Sequence, residues 1–344
     1  MTNRDRSPTS LDEFVLIDRV KGRVHPGPEV LVGIGDDAAV LEVSRHRQVV
    51  ACDAMVQGVH FECDWISAEN LGRRLVTANS SDFAAMGAIP RWAVLSFSVP
   101  SSMGSDWCAR VHEGVISGLE EIGASLIGGD TTSTEGPVSL SLTLGGDAQW
   151  EPLLRSGGHP GDTIWVTGTL GDSALGLRSL QTGKGEQEEH RWLVQRHCRP
   201  EARLDWGQHL AETGLGTAAA DVSDGFLQDL AHVARASGCA AEVLLEAIPL
   251  SSGYRSAQAG TAPHAFHVPA LTGGEDFELI FTTSSGVEFQ ESPGDVGATR
   301  VGRLVSGSPG HVRVLDGDGL EVAVPLAGWN HFRSRAENSS GDSR

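Results

Sequence analysis

SAENLGRRLVTANSSDFAAMG, running from Ser67 to Gly87, is the stretch on which the reading of the fold turns. Ser67 offers the hydroxyl of an N-cap, and Glu69 puts a negative charge in the first turn, where unpaired amide groups attract it. Leu71, Leu75 and Ala78 recur at helical spacing, so the segment reads as a helix with one apolar stripe. Asp82 continues that stripe. A carboxylate on a buried face is costly unless it is paired or bound to metal. Gly87 ends the helix. Upstream, Gln48–Asp53 reads as a short strand; downstream, Arg91–Val99 reads as another.

The alternation of strand and helix continues outward. Trp107, Val111, Val115, Leu119 and Ile122 mark a second helix that stops at Gly123. Ser125–Ile127 reads as a short strand entering a turn, Gly128-Gly129-Asp130-Thr131-Thr132, and Pro137–Leu144 as the next strand. Gly145–Gly146 and a loop through Gly161 form the best domain boundary. Beyond it come a strand at Thr163–Thr167, a turn at Gly168–Asp172, a loop at Thr182–Glu189 and a helix opening at Pro200. A strand at Thr217–Val222 leads into Ser223-Asp224-Gly225 and a helix carrying Leu227, Leu230, Ala231 and Ala234. Gly273-Gly274-Glu275-Asp276 precedes a last strand, Phe277–Thr282. The 344 residues suit two domains. These are expected at 11–147 and 148–333, between polar tails at 1–10 and 334–344 that are expected to fray.

Charge and composition narrow the function. A formal net charge of −19 leaves no basic stripe for a nucleic-acid backbone. The polar start, Met1 to Ser10, is not a signal peptide, and no run approaches membrane-spanning length. The five cysteines include no C-x-x-C pair, so they read as reduced thiols of a cytoplasmic protein rather than as a zinc site. The 43 glycines form no repeat; they stand singly or in pairs beside acids.

Five constellations carry that pairing: Gly33-Ile-Gly-Asp-Asp37, Asp53 with Gly58-Val-His60-Phe61, Asn79-Ser-Ser-Asp82, Gly128-Gly-Asp-Thr-Thr132 and Asp221-Val-Ser-Asp-Gly225. Any one of them can be a plain turn or helix cap. Together they are more carboxylates than one ion needs, which points to several magnesium ions held by carboxylates and substrate phosphates. Asp36 and Asp37 are adjacent and repel each other, which favours a cation nearby, although Asp37 reads equally well as facing solvent. Gly33-x-Gly35-x-x-Ala38 is not a dinucleotide fingerprint: its two acids would repel a pyrophosphate, and strand rather than helix follows. Gly183-Lys184-Gly185 lacks the spacing and hydroxyl of a Walker loop. No protein-kinase catalytic loop is present.

Six segments, in order, resemble the thiamine-monophosphate kinase family: Gly33-Ile-Gly-Asp-Asp-Ala38, Gly58-Val-His-Phe61, Ser81-Asp-Phe-Ala-Ala-Met-Gly-Ala88, Gly128-Gly-Asp-Thr-Thr132, Asp221-Val-Ser-Asp-Gly225 and Gly273-Gly-Glu-Asp-Phe-Glu-Leu279. Gly328-Trp-Asn-His-Phe332 resembles the family's ending. The resemblance spans roughly Asp12 to Phe332. It implies a two-domain fold like that of aminoimidazole ribonucleotide synthetase, α/β plus α+β, whose N-terminal domain pairs with a second copy to form a barrel in a homodimer. It implies direct transfer of the γ-phosphoryl group of ATP to thiamine monophosphate, giving thiamine diphosphate. By matching positions it implies magnesium ligands at Asp36, Asp53, Asp82, Asp130, Asp221 and Asp224. ATP contacts would come from Gly129, Asp130, Arg155 and Ser223, and substrate contacts from His60, Glu275 and Trp329. Ala51 and Cys52 depart from the hydroxyl residues that many relatives carry there. A thiol is a poor magnesium partner, so Cys52 would join the metal set through its backbone carbonyl.

The chemistry is coherent with that expectation. Two anionic reactants repel each other, and metal ions bridging them remove the repulsion. No strong base is required, because a phosphate monoester with a second pKa of about 6 is largely ionised at neutral pH. Arg155 reads either as a phosphate contact or as a surface arginine. Trp329 reads either as a face for the thiazolium cation or as packing of the C-terminal segment. His60 reads either as a substrate contact or as a structural hydrogen-bonding residue. Selenophosphate synthetase, a relative by fold, would want a reactive Cys or Sec in an early glycine-rich loop, and no Cys precedes Cys52.

Overall fold

The computed structural model describes residues 13–34, 39–42 and 45–324. The expected tails lie outside those residues, as do Asp36, Asp37 and Trp329. The chain divides into two compact units, Met1–Ser80 with Ile89–Gln149, and Ser81–Ala88 with Trp150–Arg344. The division falls inside one helix, so the last turns of that helix group with the second unit.

The first unit contains α1 (Glu13–Arg23), β1 (Val30–Val32), β2 (Val40–Leu41), β3 (Arg47–Val56), α2 (Ala68–Met86, up to Ser80), β4 (Ile89–Pro100), α3 (Ser105–Glu121), β5 (Ser125–Thr134) and β6 (Ser139–Ala148). Ser67 caps α2 as expected: its hydroxyl oxygen accepts the Asn70 amide at 3.1 Å. The sheet runs β3-β6-β4-β5. Only β4 and β5 are parallel, and α3 supplies the crossover that a parallel pair requires. Along β6, Leu140, Leu142 and Leu144 are buried, while Ser139, Ser141 and Thr143 between them are half-buried. Along β3, Val50, Cys52 and Ala54 are exposed. The period of two gives the sheet one apolar face and one open, mostly polar face.

Two glycine pairs read as turns lie inside strands. Gly128-Gly129-Asp130-Thr131-Thr132 is the middle of β5, and Gly145–Gly146 belongs to β6. At Gly129 a Cβ would stand 2.2 Å from the Leu95 carbonyl oxygen, so this glycine permits close approach of the neighbouring strand rather than a reversal. β3 likewise continues three residues past Asp53.

The second unit contains the end of α2, then β7 (Thr163–Thr167), α4 (Asp172–Gln181), α5 (Arg191–Cys198), α6 (Leu204–Thr213), β8 (Gly216–Asp221) and α7 (Phe226–Ala236). After these come β9 (Ala240–Leu244), α8 (Ser252–Ala257), α9 (Pro263–Phe266), α10 (Val268–Thr272), β10 (Leu279–Thr283), β11 (Ala298–Val305) and β12 (Val312–Leu315). Its sheet runs β12-β9-β11-β7-β10-β8, antiparallel except for β12 against β9. The central strands β7 and β10 are buried at every position because both faces are covered. Ile164, Val166 and Ile280 join a core with Leu175, Leu227, Leu230 and Leu271 of α4, α7 and α10. Trp165, Leu279 and Phe281 point the other way, to Trp206, Leu210 and Ala85. The helix expected from Pro200 begins at Leu204. Residues 200–203 instead carry Arg203 to Glu278, where its Nε donates to Oε2 at 2.6 Å.

Candidate active site

In the first unit, Asp53 and Asp130 are far apart in the sheet. Asp53 on β3 pairs with Leu142, and Asp130 on β5 pairs with Ser96 across from Ser141. Side chains alternate along each strand, so Asp130, which is exposed, belongs to the open face with Cys52, and Asp53 to the opposite one. The Asp53 amide donates to Asn79 Oδ1 at 3.1 Å, and Asn79 Nδ2 donates to the Leu75 carbonyl at 2.9 Å. A buried asparagine of α2 therefore fixes the backbone at Asp53. The Cys52 thiol lies 3.5 Å from the hydroxyl oxygens of Ser141 and Thr143.

His60 sits in a tight turn after β3, where its amide donates to the Val56 carbonyl at 2.9 Å. Its Nδ1 accepts the Val56 amide at 3.0 Å, so the neutral ring carries its proton on Nε2. Arg74 NH1 donates to the His60 carbonyl at 3.1 Å. The ring is thus held as a hydrogen-bond donor at its outer nitrogen.

In the second unit, acids gather around the Ser223–Gly225 turn and the loop bonded to it. Asp221 ends β8 and is 4% exposed; its Oδ2 accepts the Ser81 hydroxyl from the end of α2 at 2.8 Å. Asp82, the next residue of α2, is half-buried. Asp224 accepts Gln228 Nε2 at 3.2 Å. The turn itself is organised by Asp229, whose Oδ2 accepts the amides of Ser223, Asp224 and Gly225 at 3.0, 3.1 and 3.1 Å. Gly225 has φ of +129°, and a Cβ there would meet the Thr272 carbonyl at 2.6 Å, so only glycine fits. Burial pushes the Asp229 carboxyl up to about 8, and the charges of Asp221 and Asp224 add to the shift. Burial is the larger cause, and the two neighbouring acids make the local field negative.

The segment Gly273–Phe277 is bonded to this turn through the main chain. The Glu275 amide donates to the Ser223 carbonyl at 2.9 Å, and the Phe277 amide donates to the Val222 carbonyl at 3.0 Å. Glu275 and Phe277 both adopt positive φ, 63° and 51°, a region costing roughly 1–2 kcal/mol for a residue with a Cβ. Glu275 Oε2 lies 3.9 Å from His197 Nδ1. Arg155 is exposed, and its carbonyl accepts the Ser237 hydroxyl at 3.0 Å. Burial lowers the pKa of His232, and the positive charges of Arg155 and Arg235 lower it further.

Among the described residues, no group of three or more His, Cys, Asp or Glu side chains is gathered tightly enough to cage a metal ion alone. Magnesium keeps waters and takes phosphate oxygens, so scattered hard-oxygen donors suit it better than a protein cage would. Asn79 and Ser81 stood in the constellation around Asp82 without a role of their own, and Asp229 and His197 were assigned none. Asp229 carried one usable signal, an acid in the first turn of a helix that follows Asp-Gly.

Two family models cover most of the described chain and define its class. The AIR synthase related protein N-terminal domain matches residues 35–148, and the corresponding C-terminal domain matches residues 159–290. The thiamine-monophosphate kinase of Salmonella typhimurium is 37% identical over 330 residues, 93% of this chain and 98% of that protein. The crystal structure of thiamine-monophosphate kinase from Stenotrophomonas maltophilia matches with a TM-score of 0.80 at 37% identity, covering 92% of this chain and 99% of that one. AaThiL complexed with AMPPCP and TMP matches with a TM-score of 0.74 at 33% identity, covering 96% and 100%. The chain belongs to the thiamine-monophosphate kinase family.

Proposed function

We propose that this protein phosphorylates thiamine monophosphate with ATP, yielding thiamine diphosphate and ADP. Support comes from near-full-length similarity to thiamine-monophosphate kinases and from a relative bound to AMPPCP and TMP. The observation that carries it within the chain is the main-chain bonding of the Ser223–Gly225 turn to the Gly273–Phe277 loop. That pairing brings an acidic, cation-attracting turn beside an acid suited to the thiazolium ring.

The assignment names Asp36, Asp53, Asp82, Asp130, Asp221 and Asp224 as magnesium ligands, with Cys52 through its carbonyl. The donor chemistry fits: every side chain in the set is a hard oxygen, and Asp221 and Asp224 both act on the buried Asp229 to disfavour its charge. Bound magnesium supplies neutralisation of the two phosphate anions. Gly129, Asp130, Arg155 and Ser223 contact ATP, and Arg155 brings the fork geometry that suits phosphate. Glu275 balances the thiazolium charge, Trp329 offers it an aromatic face, and His60 donates from Nε2. A phosphate oxygen of thiamine monophosphate attacks the γ-phosphorus in line, the bond to the β,γ-bridging oxygen breaks, and ADP leaves with that electron pair. No side chain needs to take a proton.

The open face of the first unit's sheet is assigned to a second copy, two sheets closing into one barrel. Val50, 59% exposed on that face, and the edge strands β3 and β5 support the assignment. The five cysteines are all free thiols, which suits a reducing cytoplasm, and among the described residues no helix is long and apolar enough to cross a membrane.

The test is direct. Purified protein with ATP, magnesium and thiamine monophosphate is followed for thiamine diphosphate by chromatography. Formation of product with one ADP per turnover is expected; folded protein giving none above a no-enzyme control overturns the reading.

A further inference from the structure

Glu275 carries its carboxylate on a backbone that its own residue type does not favour. A non-glycine residue persists at φ 63° only where its surroundings over-determine it. Those surroundings are buried and polar and draw on two helices, α4 and α5.

Asp276, 1% exposed, turns inward as Glu275 stays half-buried. Its Oδ2 accepts the Gly171 amide at 2.6 Å and its Oδ1 accepts the Ser173 amide at 3.1 Å, both at the start of α4. Its carbonyl accepts Arg196 NH2 of α5 at 3.2 Å. Two residues on, Glu278 is clamped by Arg196 at 2.8 Å, by Arg203 with two bonds of 2.6 Å, and by the Thr167 hydroxyl at 2.7 Å. The chain is therefore fixed on both sides of Phe277. A second route reaches the Glu275 side chain. Ser173 Oγ lies 3.0 Å from His197 Nδ1, and the same nitrogen is 3.9 Å from Glu275 Oε2. Ser173 is 1% exposed and His197 3%, so this trio is not a nucleophilic triad open to substrate.

We propose that Asp276, held by the start of α4 and by Arg196, is the positioning residue for Glu275, setting the direction of the carboxylate that receives the substrate's cationic ring. The inference rests on the reading of Glu275 as a substrate contact. Asp276 and Arg196 touch no substrate; they act through the loop. A purely structural role would lower stability without selecting one substrate. Positioning raises the KM for thiamine monophosphate and leaves that for ATP alone.

The experiment is a double-mutant cycle on the full chain, read as KM for each substrate and kcat. Glu275→Gln is expected to raise the KM for thiamine monophosphate about tenfold, as is Asp276→Asn, with the KM for ATP within about twofold. In the Glu275→Gln background, Asp276→Asn is expected to add less than about twofold. Asp276→Asn acting by the same factor in both backgrounds, or not raising this KM at all, overturns the positioning role while leaving the proposed reaction intact. A Glu275→Gln enzyme with unchanged KM overturns the substrate-contact reading and the inference with it. If Asp276→Asn does not fold, Arg196→Lys, which removes the guanidinium NH2 shared by the Asp276 carbonyl and Glu278, is read by the same criteria.

Discussion

The Ser81 hydroxyl donates to Asp221 Oδ2 over 2.8 Å, joining the end of α2 to the end of β8 in a site where both side chains are buried. One residue beyond Ser81 is Asp82; three beyond Asp221 is Asp224. The bond therefore sets the spacing between two assigned ligand-bearing segments. Removing it takes one donor from a buried carboxylate, which costs about 1–3 kcal/mol. Ser81→Ala is expected to lower thermal stability in metal-free buffer and to raise the magnesium concentration for half-maximal activity several-fold. Differential scanning calorimetry and a magnesium titration check the two effects.

Asp82→Asn keeps size and shape and removes the charge. Neutralising one assigned ligand is expected to lower kcat by about a hundredfold or more, the scale of losing one strong electrostatic contact to a transition state. The circular dichroism spectrum and melting temperature should stay close to wild type. Activity near wild type would remove Asp82 from the metal set.

Phe281 is fully buried, stacked on Trp165 and Trp206 with ring centroids 6.3 and 5.5 Å away, and edge-on to Phe289 at 5.7 Å. Phe281→Ala is expected to cost about 3–5 kcal/mol. Urea unfolding monitored by tryptophan fluorescence reads this directly, because two of the ring's partners are tryptophans.

Burial pushes the Asp276 carboxyl up to about 7, overcoming the amides of Gly171 and Ser173 and the charge of Arg196, while Asp172 raises it further. Between the ordinary aspartate value of 3.8 and about 7 the folded chain keeps this proton and the unfolded chain has lost it. Unfolding then releases a proton, so raising the pH favours unfolding. The contribution is full below pH 3.8, falls as the pH rises to about 7, and is flat beyond. Asparagine cannot ionise. Asp276→Asn, which gives up one of the two acceptors for the Gly171 and Ser173 amides, is therefore expected to lack this fall in stability between pH 4 and pH 7, measured by denaturant unfolding at each pH.

What could be read from the residues was whatever a local period carries. Leu71, Leu75 and Ala78 made α2 visible, with Ser67 and Gly87 at its ends. The glycine pairs misled, since Gly128-Gly129 and Gly145-Gly146 look like punctuation until a neighbouring strand is known to press against them. The assigned site residues stood out as a set of acids near glycines, although Asp53, Asp82 and Asp130 lie within β3, α2 and β5 rather than in turns. Their supports did not stand out. Asn79 serves Asp53 from 26 positions away, and Arg196 serves Glu278 from 82. Such pairings leave no trace in sequence spacing, because tertiary structure alone brings them together.

The division of the chain inside α2 has a consequence for how the molecule is made. The Leu153 amide donates to the Met86 carbonyl at 3.1 Å, and Gln208 Nε2 donates to the Ala88 carbonyl at 3.3 Å, all within the second unit. On the ribosome, Ser81–Ala88 emerge well before these partners have been synthesised. That early peptide gains these two bonds only once the chain has been made as far as Gln208. A gene cut at the obvious linker near residue 148 would hand one fragment a piece that belongs to the other.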